Sequence, residues 1–124
     1  MAGVASFFKQ SFKIPAPELT EKNLPDQTGR VFIVTGGYAG IGYELSKILY
    51  QHNGTVYVAG RSQDKATKAI SSLHEAVPDS KGKLEFMSID LADLSTIKPG
   101  VEKFLAQESR LDVLTNNAGV CFCC

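Results

Sequence analysis

The sequence predicts an α/β fold, the N-terminal half of a doubly wound parallel sheet with four strands and interleaved helices. Three observations carry this expectation. Short β-branched and aromatic runs alternate with stretches of helical spacing, about 10 to 15 residues long, as in successive βαβ units. The first of these runs is continuously apolar rather than alternating, which suits a strand buried on both faces. A glycine-rich turn separates it from the first helical stretch.

Each element follows in order. Residues 14–29 hold Pro15, Pro17, Pro25, Asp26 and Gly29 and read as a lead-in, with the ordered domain expected from Arg30. Residues 31–35 (VFIVT) are the first expected strand, closed by Gly36 and Gly37. Ile41, Leu45, Ile48 and Leu49 then mark the apolar stripe of a helix, with Gly54 at its expected left-handed cap. Residues 55–59 (TVYVA) give the second strand, Ser62 an N-cap, and Ala66, Ala69, Ile70 and Leu73 the stripe of a second helix. Residues 84–89 (LEFMSI) form the third strand, and Leu94, Ile97, Val101, Phe104 and Leu105 mark the third helix. Pro99 and Gly100 predict a kink there, or a late start with Pro99 in the first turn. Residues 111–115 (LDVLT) make the fourth strand.

The 124 residues fit one ordinary domain. Thirteen Lys plus Arg balance thirteen Asp plus Glu, which removes any global electrostatic case for nucleic acid or an anionic membrane and favours a small neutral partner. No window approaches the roughly 18 consecutive apolar residues of a membrane-spanning helix. Secretory and mitochondrial leader patterns fit poorly, since Phe7 and Phe8 lie in no apolar run preceded by positive charge and the first arginine is Arg30. All three cysteines, Cys121, Cys123 and Cys124, fall in the last four residues, which excludes a disulfide framework and favours a reducing, cytoplasmic setting.

The strongest chemical signal is TGGYAGIG at residues 35–42, because it lies between a buried strand and an amphipathic helix. Glycine permits close backbone approach, and the free N–H groups of a helix start offer partial positive charge to a pyrophosphate. An ordinary tight turn needs only one or two glycines. A second signal is Gly60, Arg61 and Ser62 after the second strand, where an NAD-binding fold places an acid against the ribose 2′-hydroxyl. An arginine there pairs with a 2′-phosphate and so predicts NADP, with Ser62 and Lys65 as further contacts. The bland alternative makes Arg61 a solvated residue at a helix start.

Residues 35–42 resemble the TGxxxGxG motif of the short-chain dehydrogenase/reductase family, whose fold is the Rossmann type. Asp90 and Leu91 after the third strand resemble the family's adenine-contacting Asp and its neighbour. Asn116, Asn117, Ala118 and Gly119 after the fourth resemble its NNAG motif. The match spans residues 30–120, and the AGRS stretch at 59–62 resembles the NADP-preferring, retinol-dehydrogenase-like branch that includes members from filamentous fungi. The resemblance implies that Gly36, Gly40 and Gly42 form the pyrophosphate turn, that the Ile41 backbone touches the cofactor, and that Asp90 contacts adenine. It further implies that Asn116 and Asn117 lock the end of the fourth strand and, with Ala118 and Gly119, line the ribose side. The alternatives are that Asp90 caps the following helix and that the two asparagines form a polar turn.

Family members place a catalytic Ser and a Tyr-x-x-x-Lys pair downstream of NNAG, and no such residues follow Gly119 here. Tyr43 and Lys47 have the spacing but lie on the helix that opens at the glycine turn, so they are a decoy. The expectation is therefore a truncated NADP-dependent oxidoreductase, acting in its full-length form on an alcohol or carbonyl of a small lipophilic compound such as a secondary metabolite, and inactive alone. Homo-oligomerisation in that form is a further expectation. Residues 121–124 read as a Cys-rich tail left by premature termination, an unspliced intron or a mispredicted gene end. Truncation leaves the fourth strand as an exposed apolar edge. His52 and His74 read as surface or cap residues, and no metal site is expected. The alternatives are a non-catalytic nucleotide-binding module and a nonfunctional fragment.

Overall fold

The computed structural model describes residues 14–120. Four parallel strands form one sheet: β1 (Val31–Thr35), β2 (Thr55–Gly60), β3 (Lys83–Ser88) and β4 (Val113–Thr115), in the order β3-β2-β1-β4. Three helices connect them: α1 (Gly40–Gln51), α2 (Gln63–Ala76) and α3 (Ile97–Gln107), the last preceded by a 3₁₀ turn at Leu94–Thr96. This is the expected half of a doubly wound fold. Centre-strand β1 pairs β2 from Val31 against Thr55 to Thr35 against Ala59, and pairs β4 from Phe32 against Val113 to Val34 against Thr115.

The strict side-chain alternation of a strand divides the core into two layers. On one face Phe32, Val34, Val56 and Leu84 meet Leu49 and Tyr50 of α1 and Leu73 of α2. On the other, Val31, Ile33, Tyr57, Ala59, Met87 and Ile89 meet a single helical side chain, Phe104 of α3. The Phe104 and Tyr57 rings contact edge to face, with centroids 4.8 Å apart. Every residue of β1 is buried, in agreement with its unbroken apolar run.

Several local expectations are corrected. The left-handed residue after α1 is Asn53 (φ 68°), not Gly54. The Asn53 N–H donates to the Tyr50 carbonyl and the Gly54 N–H to the Leu49 carbonyl, which is a Schellman ending one residue earlier than expected. The stripe of α1 is also rotated: Ile41 is 81% exposed, while Gly42, Ser46, Leu49 and Tyr50 are buried. Ser46 tolerates burial because its hydroxyl donates to the Gly42 carbonyl at 2.8 Å. In α3 only Phe104 is buried, and Leu94, Val101 and Leu105 are exposed because no described element lies over them. Pro99 occupies the first turn of α3, the late-start alternative.

Strand β3 begins and ends one residue before its expected span, and β4 is shorter than expected, starting at Val113. Asp112 ends the ladder's regularity: its carboxylate accepts the Val31 N–H at 2.8 Å, so the side chain substitutes for a strand bond. Ser62 caps α2 as expected, accepting from the Lys65 N–H. Part of the lead-in rests on the sheet's α1 side, where Leu24 joins the core and buried Gln27 donates its N–H to the His52 carbonyl at 2.7 Å. No helix among the described residues is long and apolar enough to cross a membrane.

Candidate functional site

A cavity of about 470 Å³ opens at the C-terminal ends of the four strands, where open α/β sheets bind ligands. Four chain segments meet there: the β1–α1 turn, the end of β2, the residues after β3 and the residues after β4. Of the residues predicted from sequence, the walls include Gly36, Arg61, Asp90, Leu91, Asn117, Ala118 and Gly119. Gly40, Ile41, Gly42, Ser62, Lys65 and Asn116 are not among the wall residues.

The first wall follows from the turn's backbone. Gly36 and Gly40 both adopt positive φ, 66° and 55°, which lets the chain reverse out of β1 and enter α1 within four residues. Ala39, the residue before the helix, provides no side-chain cap, and no acidic residue lies in the first turn of α1. The helix start therefore keeps donors and positive partial charge for an anion. The exposed Ile41 side chain lies at this start. Gly42 acts from behind: a Cβ there would collide with the Gly36 carbonyl oxygen and stand 2.6 Å from Asn117 Nδ2. Its lack of a side chain lets the glycine turn and the NNAG segment pack together.

Thr35 fastens the second join, and the sequence reading missed it. Its buried hydroxyl donates to the Thr115 carbonyl at 3.2 Å and accepts the N–H groups of Asn117 (2.9 Å) and Ala118 (3.0 Å). Asn117 Nδ2 returns a bond to the Thr35 carbonyl at 3.1 Å. The available signal was a lone polar residue closing an otherwise apolar buried strand. Asn117, not the exposed Asn116, thus makes the link between the ends of β1 and β4.

The other two walls differ in character. Arg61 is exposed and follows Gly60, the last residue of β2, while the Ser62 hydroxyl is engaged as the α2 cap. Asp90 is half-buried, and one carboxylate oxygen accepts the Ala92 N–H at 3.0 Å. The cap of the following 3₁₀ turn is Asp93, whose hydrogen bonds from the Ser95 hydroxyl and N–H hold its carboxyl below the usual range. Asp90 is therefore placed by a tight turn at the cavity rather than used as the helix cap.

Residues outside the cavity resolve in structural terms. Tyr43 packs on the α1–α2 core and its hydroxyl meets Ser72 of α2 at 2.9 Å, so this member of the decoy pair joins two helices. His52 is the C-cap of α1, and His74 Nδ1 meets the Tyr50 hydroxyl at 2.9 Å. A second cavity of about 400 Å³ lies between β3 and α3 beside Tyr57. Burial, then the hydrogen bond to Glu108, push the Tyr57 phenol well above its usual range. The cysteine reading concerns residues outside the described ones.

A parallel sheet with a glycine turn, a bare helix start and polar groups converging at the strand ends places the chain among the open, doubly wound α/β proteins. The chain belongs to the short chain dehydrogenase family, whose model matches residues 30–123, a span reaching three residues past Val120. It is 58% identical over 105 residues to a short-chain dehydrogenase/reductase of Phomopsis amygdali, covering 85% of this chain and 31% of that one. It is 55% identical over 106 residues to one of Emericella nidulans, covering 86% of this chain and 34% of that protein. The chain thus spans about a third of the length of these curated relatives. Among solved structures, a metagenomic short-chain oxidoreductase in complex with NADP superposes with a TM-score of 0.68 at 30% identity, over 77% of this chain and 41% of that one.

Proposed function

We propose that this chain forms the adenosine and pyrophosphate half of an NADP site. In the whole protein it serves a cytoplasmic oxidoreductase that interconverts an alcohol and a carbonyl on a small lipophilic compound. The observation that carries this reading is the cavity joining the glycine turn, Arg61, Asp90 and Asn117. In the proposed arrangement the pyrophosphate meets the start of α1, Asp90 meets the adenine, and the Arg61 guanidinium pairs with the 2′-phosphate. The NADP held by the metagenomic relative supports the same cofactor.

The Tyr43 and Lys47 spacing does not supply proton transfer, since Tyr43 is held between α1 and α2. The 124 residues alone are therefore proposed to bind nucleotide without turnover. Titration calorimetry on the full chain tests this reading. Arg61→Asp should weaken NADP binding at least about 10-fold, through loss of a charge-assisted pair, and leave NAD binding little changed. Equal loss for both nucleotides, or none, would overturn the 2′-phosphate assignment. Carbonyl-dependent NADPH oxidation that disappears in Tyr43→Phe would restore the rejected pair.

A further inference from the structure

The glycine turn carries one large side chain, Tyr38, among residues otherwise small, and neither the motif nor the proposed contacts give it a task. Its ring lies against Gly60 at the end of β2. A Cβ on Gly60 would collide with Tyr38 Cε1 and stand 3.0 Å from Cζ and 3.1 Å from the hydroxyl oxygen. Gly60 is thus a seat for the Tyr38 ring. Gly60 directly precedes Arg61, and Tyr38, Gly60 and Arg61 all line the strand-end cavity.

This placement puts the residue that carries a phenol next to the neighbour of the residue that carries a guanidinium, in the wall of one cavity. The guanidinium is cationic and a donor only, while the phenol adds a neutral donor on a rigid ring with few rotatable bonds. An oxyanion with several acceptor oxygens uses both, whereas a 2′-hydroxyl offers one oxygen and no charge. We propose that Tyr38 is a specificity-determining residue of the nucleotide site, its hydroxyl donating to a ribose 2′-phosphate beside Arg61. The inference rests on the NADP reading above and extends it to a second residue on a different chain segment. It also assigns Gly60 a purpose: any larger residue there displaces the ring from that wall.

The test uses the full chain and two probes that lack nicotinamide, 2′,5′-ADP and 5′-AMP, titrated by calorimetry, with far-UV circular dichroism confirming that each variant keeps its fold. Tyr38→Phe should weaken 2′,5′-ADP about 10-fold, the usual scale for a hydrogen bond to a charged group, and leave 5′-AMP within about twofold. Gly60→Ala, which keeps the phenol but removes its seat, should give the same selective loss. Unchanged 2′,5′-ADP affinity in Tyr38→Phe, with loss in Arg61→Asp, would overturn the role of Tyr38 and leave the NADP reading standing. A wild-type chain that does not prefer 2′,5′-ADP would overturn both. Equal weakening of both probes in Tyr38→Ala, with none in Tyr38→Phe, would make the ring an adenine wall and also overturn the proposal.

Discussion

The two faces of the sheet differ in how completely they are covered. On the α1 and α2 face, seven buried side chains form one cluster, and Leu24, Tyr43, Leu45, Ile70 and Val77 pack around it. On the α3 face a single helix among the described residues covers the sheet with Phe104, while Leu114 of β4, in register with Ile33, is 50% exposed. Among the described residues β4 pairs with β1 alone and stands last in the strand order. Among the described residues the same periodic apolar pattern therefore builds a more fully packed core on one side of the sheet than on the other.

The difference should be largest in stability. Leu73 is 0% exposed in α2, so Leu73→Ala is expected to cost about 2–5 kcal/mol, the transfer loss plus a cavity. Leu105 occupies an equally apolar position of α3 but is 64% exposed, and Leu105→Ala should change stability by less than about 0.5 kcal/mol. Urea midpoints compare the two. A large loss from Leu105→Ala would show that the α3 face is covered in solution, by another copy or another segment.

A smaller effect should separate the two halves of the site. Thr35→Val removes the hydroxyl that holds the Thr115 carbonyl and the Asn117 and Ala118 N–H groups while keeping the buried volume. Leaving those groups unpaired costs about 1–3 kcal/mol. Hydrogen exchange should quicken at Asn117 and Ala118 while the β2 amides, held between β1 and β3, keep their protection. Equal acceleration throughout the sheet would mean that β4 opens only with the whole domain.

This contrast also separates what was legible in the sequence from what was not. The β1 run, the glycine turn and the Ser62 cap were legible because local chemistry fixes them. Ile41, Val101 and Leu105 were assigned to stripes because a helical period says which residues share a face, but not whether anything covers it. Asn53 displaced Gly54 because asparagine also tolerates the left-handed region and the helix stopped a residue sooner. Thr35 was legible only as the opening letter of a motif and Tyr38 as one of its variable positions. Their roles depend on partners distant in sequence, Asn117 for one and Gly60 for the other, which only the assembled sheet brings close.

The smallest expected effect tests how β4 is attached at its opposite end. Hydrogen bonds from Arg110, then from the Val31 N–H, hold the Asp112 carboxyl below its ordinary value of 3.8. A carboxyl whose folded pKa is depressed binds its proton more readily when unfolded, so its contribution is fully present above pH 3.8. That contribution falls as pH drops from there and vanishes below the depressed folded value. Asp112→Asn should therefore be less stable than the parent by a constant amount near neutrality. The gap should close as urea midpoints are followed below pH 3.8. Because the Arg110 pair is exposed, salt should narrow the gap at neutral pH, leaving the part due to the Val31 N–H. A gap that ignores both acid and salt would assign the β1–β4 attachment to the backbone ladder and the Thr35 bonds alone.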